Sequence, residues 1–328
     1  MLYSLISGVR TLSVIGMCKN AGKTTVLNSL ISECEAAGER LGLTSIGRDG
    51  ERSDLVTNTK KPEIFVRAGA VIATAEELLS LGDISMEILD TTGVPTPMGE
   101  IVIVRALASG FVQLGGASIT AHQQVIRDRL LELGCTRVFI DGAISRKSLG
   151  NPALADGVIL SSGASYDPNM GRTARDTAHY ARLFSLGAAE AKPSALRWTA
   201  VKDGESNGAE ELDGLANILK SGADALIIRG AVTDASVTAL TAYGKVLKNA
   251  LLIAEDASRL LMKPQGFEKL LQISAGFKVL RGTRLAAVTV NPFSAYGLHY
   301  EKSEFKERVR QALQCVGLDI PVIDVRDA

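Results

Sequence analysis

Short apolar runs recur along this chain at 12–15, 43–46, 86–89, 102–105, 137–140 and 157–160. Runs of this length, bounded by glycine and polar residues, read as strands. Longer segments with apolar residues at three- and four-residue spacing lie among them, at 24–37, 75–81, 119–133 and 171–185, and these predict helices. Strands alternating with helices predict an α/β fold with a mostly parallel, doubly wound sheet and right-handed crossovers. Between 50 and 75 the periodicity gives way to Gly, Asn, Pro and charged residues, which reads as a functional loop. The pattern lapses again over 191–210, the expected linker after a first domain spanning 1–190. A second set follows over 211–328, with strands at 225–228, 251–254, 285–290 and 321–325 and helices at 234–243, 266–273 and 302–315. This C-terminal α/β region either extends the first sheet or builds its own.

The first strand–helix junction carries the chemistry. Residues 16–25 read Gly16-Met17-Cys18-Lys19-Asn20-Ala21-Gly22-Lys23-Thr24-Thr25, directly after the strand at 12–15 and at the head of the helix at 24–37. A strand, a glycine-flanked loop, Gly-Lys-Thr and a helix start are the parts of a phosphate-binding loop. Backbone N–H groups of such a loop and of the helix N-terminus point at the phosphates, and the helix dipole favours their charge. Gly16, Lys19, Asn20, Ala21, Gly22, Lys23, Thr24 and Thr25 are therefore candidate nucleotide contacts. Lys23 is expected on the β/γ oxygens and the Thr24 hydroxyl on Mg²⁺. Five residues separate Gly16 from Gly22, one more than usual, and Met17 occupies the usual first-glycine position.

Hydrolysis needs carboxylates as well. The candidate strands at 43–46 and 86–89 lead into acid, at Asp49 and Asp90, and a carboxylate at the C-terminal edge of a parallel sheet sits where α/β proteins bind ligands. Asp90 is a candidate to hold Mg²⁺ through water, with the Gly93 N–H approaching the γ-phosphate. Asp49, in Gly47-Arg48-Asp49-Gly50-Glu51, is a candidate to hold Mg²⁺ or orient the attacking water. A solvated Asp-Gly turn and a helix cap are the alternatives for these two acids. Asp141, which follows the run Arg137–Ile140, is a candidate metal-side acid or a contact to a partner or substrate, and Arg146 a candidate charge stabiliser. The late Asn291-Pro292 offers an amide for an adenine edge or, equally, the start of a turn.

Composition narrows the field. Lys plus Arg equals Asp plus Glu at 36 each, so no global field draws nucleic acid or an anionic membrane. Cys18, Cys34, Cys135 and Cys315 lack CxxC spacing, which argues against a zinc site or disulfide framework and fits a reduced cytoplasmic compartment. No apolar run reaches 18 residues, so no membrane span is expected. His122, His179 and His299 are scattered, which gives no support to a His-based site.

With these motifs in order the chain resembles the phosphate-loop NTPase class of dethiobiotin synthetase, MinD-type ATPases and signal-recognition GTPases. The five-residue spacer and Gly22-Lys23-Thr24-Thr25 are similar to dethiobiotin synthetase. Asp90-Thr91-Thr92-Gly93 is similar to the Asp-Thr-Ala-Gly element of the signal-recognition GTPases. The signature lysine of MinD-type loops falls at Cys18, with Lys19 beside it. More narrowly, the chain resembles the reactivase subunits of lysine 5,6-aminomutase, through residues 16–25, Gly47-Arg48-Asp49-Gly50-Glu51, Lys61-Pro62-Glu63-Ile64-Phe65-Val66, Ile140-Asp141-Gly142-Ala143 and Asn291-Pro292. That resemblance implies an ATPase with Mg²⁺ that works with a second reactivase subunit to expel damaged cobalamin from a cobalamin-dependent aminomutase. A homodimer is compatible with it. The alternatives are an ATP-dependent ligase of the dethiobiotin-synthetase kind and a GTP-dependent metallochaperone. No Asn-Lys-x-Asp motif for guanine is present, which favours ATP.

Overall fold

A computed structural model describes residues 2–47, 64–143, 152–324 and 326. In chain order the first part runs α1 (Leu2–Leu5), β1 (Thr11–Gly16), α2 (Lys23–Ala36), β2 (Leu41–Ser45), β3 (Ile64–Val66), β4 (Val71–Ala75) and α3 (Glu76–Leu79). It continues through β5 (Met86–Thr96), β6 (Gly99–Ala106), β7 (Gly110–Val112), α4 (Thr120–Glu132), β8 (Arg137–Ala143), β9 (Gly157–Gly163) and α5 (Met170–Phe184). There follow β10 (Trp198–Lys202), β11 (Glu205–Ala209), α6 (Ala216–Lys220), β12 (Ala225–Ile228), α7 (Asp234–Ala242), α8 (Gly244–Leu247), β13 (Leu251–Ala254), α9 (Pro264–Ile273) and β14 (Gly276–Val279). The last elements are β15 (Arg284–Asn291), α10 (Lys302–Cys315) and β16 (Val322–Asp324).

The chain forms two compact units, and the division differs from the one its sequence suggests. One unit comprises Met1–Ala178 with Arg284–Ala328, and the other comprises His179–Thr283. Residues 284–328 thus return to the first sheet, and the expected boundary at 191–210 falls inside the second unit.

The sheet of the first unit has nine strands in the order β16-β15-β9-β1-β8-β2-β4-β6-β5. From β16 to β4 every neighbouring pair is parallel, whereas β6 pairs antiparallel with both β4 and β5. The runs at 86–89 and 102–105 therefore belong to an antiparallel edge and not to βαβ units. A two-residue turn between β5 and β6 leaves no length for the crossover that parallel pairing requires.

The parallel strands are apolar throughout because both faces are covered. Leu12, Val14, Leu43, Phe139 and Ile159 share one face with Val26, Leu27, Leu30 and Ile31 of α2 in a single buried cluster. On the opposite face, a Cβ at Gly42 would lie 3.2 Å from Leu130 of α4, and the Ser162 hydroxyl meets that of Thr177 on α5 at 2.7 Å. The second unit has its own sheet, ordered β11-β10-β12-β13-β14. Its core is built on Trp198, Leu226, Leu252, Phe267 and Phe277. Among the described residues no helix is long and apolar enough to cross a membrane.

Candidate functional site

The 16–25 segment joins β1 to α2 as the spacing predicts. β1 is central, with β8 on one side and β9 on the other, so its C-terminal end opens at the crevice where α/β folds take ligands. The ladder outlasts the strand, since the Met17 amide still donates to the Ser161 carbonyl at 2.8 Å. The Met17 sulfur accepts the Thr177 hydroxyl at 3.0 Å. The side chain at the irregular position is thus buried against α5 and keeps clear of the loop.

The chain then reverses through two left-handed residues, Asn20 (φ 61°) and Gly22 (φ 92°), with Ala21 fully buried between them. Asn tolerates that region better than other residues with a Cβ, and glycine does so freely. Gly22 is the residue from which α2 springs, and no side chain caps the helix. The first-turn N–H groups of Lys23, Thr24 and Thr25 have no intrahelical partner, so they and the positive end of the dipole face the loop.

Lys23 folds back along this curve. A Cβ at Gly16 would meet its side chain at 2.7–2.9 Å, with the amine among the atoms met. Gly16 is therefore the bed on which the lysine lies, and a larger residue there would displace it. Lys19, Asn20 and Thr25 are exposed at the mouth, while Cys18 and Thr24 are half-buried. Burial pushes the Cys18 thiol up to about 11, against the smaller opposing pull of Lys23. Burial likewise raises the Tyr300 hydroxyl, with Asp167 and Cys18 adding to it and a hydrogen bond from Thr173 opposing.

Of the proposed carboxylates, the fold brings Asp141 to the loop. It lies near the end of β8, paired in register with Val14 of β1 and Ser45 of β2. Strand alternation puts it on the same face as Phe139 and Val14, the face α2 covers and from which Gly16 receives Lys23. Its own carbonyl accepts the Ile46 amide at 2.9 Å, tying the ends of β8 and β2 together.

Asp90 and Gly93 are not at this site. Both lie within β5, the edge strand five positions from β1, which is roughly 24 Å at the usual inter-strand spacing. Asp90 pairs with Ile103 across the ladder and faces Arg129 of α4 at 3.8 Å. The Gly93 amide donates to Glu100 at 2.6 Å. An apolar run ending in acid marked this strand, but the strand continues through Asp-Thr-Thr-Gly to Thr96. Asp49 and Arg146 lie outside the described residues.

Asn291 reaches the loop, and its side chain also makes the turn start that is the alternative to an adenine contact. Its side-chain amide donates to the Asn20 carbonyl at 3.0 Å, and its side-chain oxygen accepts the Phe293 amide at 3.2 Å. Both halves of the amide edge are engaged by the chain itself. Comparison with protein-family models, curated proteins and solved structures gave no match.

Sequence reading passed over Gly163 at the end of β9, where a Cβ would lie 3.1 Å from Ala21 Cα and 3.2 Å from the Asn291 carbonyl. Its signal was the small-residue tract Ser161-Ser162-Gly163-Ala164-Ser165, equally suited to close helix packing. Thr24 and Asp141 offer the hard oxygen donors that suit Mg²⁺, an ion that takes few protein ligands when phosphates supply the rest. Among the described residues no group of three or more His, Cys, Asp or Glu could hold a metal.

Proposed function

We propose that this chain is a Mg²⁺-dependent, nucleoside triphosphate-binding ATPase of the phosphate-loop kind. One observation carries the reading: an uncapped helix N-terminus, a doubly left-handed turn and a lysine laid over a glycine converge at the end of the central strand. Such a cradle offers several N–H donors and one cation to a polyphosphate. Lys23 neutralises the β/γ oxygens, the first turn of α2 binds the phosphates, and Thr24 with Asp141 holds the metal. Mg²⁺, when bound, supplies charge stabilisation to the phosphoryl group in transfer. With Asp90 distant, Asp141 takes over the carboxylate role.

At the finer level we read the chain as a reactivating subunit that uses ATP to restore a cobalamin-dependent lysine 5,6-aminomutase together with a second subunit. The sequence resemblance supports this. The ligase reading predicts turnover of ATP with a small amine or carboxylate alone, and the metallochaperone reading predicts a preference for GTP.

The test uses the native chain and Lys23→Ala. Isothermal titration with Mg-ATP should show binding by the native chain and a loss of roughly 10-fold or more in the variant, from charge-assisted hydrogen bonds of about 1.5–3 kcal/mol. Equal affinity would remove the loop from the nucleotide site. Native chain, second subunit and ATP should then recover activity from an aminomutase carrying damaged cobalamin, and Lys23→Ala should not. Absence of recovery, with ATP turnover on a small carboxylate, would give the function to the ligase class.

A further inference from the structure

The carbonyl of Asn20 belongs to a peptide that the loop holds in a strained setting, between a left-handed non-glycine residue and the buried Ala21. That carbonyl is gripped by the Asn291 side chain at 3.0 Å. Asn291 is itself fixed at three points: its residue ends β15, its backbone carbonyl accepts the Ala164 amide at 2.9 Å, and its side-chain oxygen accepts the Phe293 amide at 3.2 Å. Gly163 brings β9 close beneath the same stretch. A trans peptide is planar, with its C=O and N–H pointing in opposite directions. Holding the Asn20 carbonyl toward β15 therefore turns the Ala21 N–H away from β15. Ala21 precedes Gly22 and Lys23, so its N–H is the first of the run of donors leading into α2.

We propose that Asn291 is a positioning residue for triphosphate binding: it fixes the Asn20–Ala21 peptide so that the Ala21 N–H is presented to the phosphates before ligand arrives. This rests on the reading of the 16–25 loop as a nucleotide site. The interaction is made between two groups of the chain itself, so it acts by preorganisation and lowers the cost of ordering the loop on binding. A brace on a loop peptide acts on the phosphate donors, so its contribution is expected to be the same whatever the base.

The experiment compares the full-length native chain with Asn291→Ala, Asn291→Asp and Gly163→Ala. It measures Kd for Mg-ATP, Mg-GTP and Mg-tripolyphosphate, kcat and KM for ATP, and the melting temperature without nucleotide. Loss of one neutral hydrogen bond should raise Kd about 3- to 10-fold. We expect that rise in both Asn291 variants and for all three ligands alike, with KM following Kd and kcat within twofold. Gly163→Ala should shift Kd the same way through crowding of Ala21. The nucleotide-free melting temperature of Asn291→Ala should stay close to native. A native chain that binds none of the three ligands defeats the nucleotide reading itself. A native chain that binds, with Asn291→Ala binding equally well, defeats this inference alone. Weakening confined to ATP would make Asn291 a base reader, weakening confined to Asn291→Asp would make it a charge effect, and a matching fall in melting temperature would make it merely structural. Each of these three overturns the proposal.

Discussion

Burial holds three of the four cysteines as thiols. Cys18 and Cys135 are pushed up to about 11 and Cys34 to about 12 from the ordinary 9, in each case chiefly by loss of solvent around the thiolate. Cys315 is exposed. Since the thiolate is the nucleophile, a disulfide reagent at pH 8 should titrate the exposed Cys315 fast, the half-buried Cys18 more slowly, and the buried Cys34 and Cys135 only on unfolding. Fast reaction of Cys34 or Cys135 in the native chain would contradict their burial. The same shifts have a stability sign. A thiol whose folded value lies above its unfolded value favours the fold while both states are protonated, so this stabilisation is complete below about pH 9. It is lost as pH rises through 9 toward 11–12. Thermal melts between pH 8 and 11 should show the decline beginning near pH 9, where a profile flat to pH 11 would be inconsistent with it.

At the scale of elements, the strand that carries an acid decides its role. Asp141 is on β8, beside β1, and Asp90 is on β5 at the far edge. Asp141→Asn should leave ATP binding largely intact and lower hydrolysis by orders of magnitude, because the amide has lost the charge that organises Mg²⁺. Asp90→Asn should keep hydrolysis within about twofold, as it removes only a half-exposed ion pair with Arg129. The opposite ranking, measured by steady-state phosphate release, would return Asp90 to the site. Much of this was legible in the chain. The runs at 12–15 and 137–140 and the helix at 24–37 show plainly because central parallel strands are apolar on both faces and α2 covers them with one stripe. The seat of Asp90 was not legible, because an apolar run followed by acid looks alike at a sheet's C-terminal edge and in the middle of an exposed strand. Only the pairing of β5 with β6 tells them apart, and that pairing is non-local. Asn291 was legible as an amide at a strand end and as the start of a turn, the Phe293 amide bonding back to its side chain, but its contact with Asn20 was not legible, because that partner lies on another strand's loop.

At the scale of the whole molecule, the first unit is assembled from both ends of the sequence, Met1–Ala178 and Arg284–Ala328. A fragment of residues 1–190, which local patterning marks as a domain, lacks β15 and β16. It would leave β9, buried at every position, as a bare edge and would remove Ala286 and Ala287 from the core. Bare apolar edges template association. The fragment is expected to aggregate and to melt without a cooperative transition by circular dichroism, whereas the full chain melts cooperatively. A soluble fragment with a sharp transition would mean that the sheet closes without its last two strands.

The late return of β15 also sets a timetable. During synthesis β1, α2 and β9 have all been made when the chain still lacks Asn291. About 120 further residues separate β9 from β15, roughly 6–24 s of elongation at ordinary rates. Throughout that interval the nascent loop has its lysine and its helix but not its brace. A ribosome-bound chain arrested before residue 284 would thus be a weak ligand trap, and full affinity would be acquired among the last events of its birth.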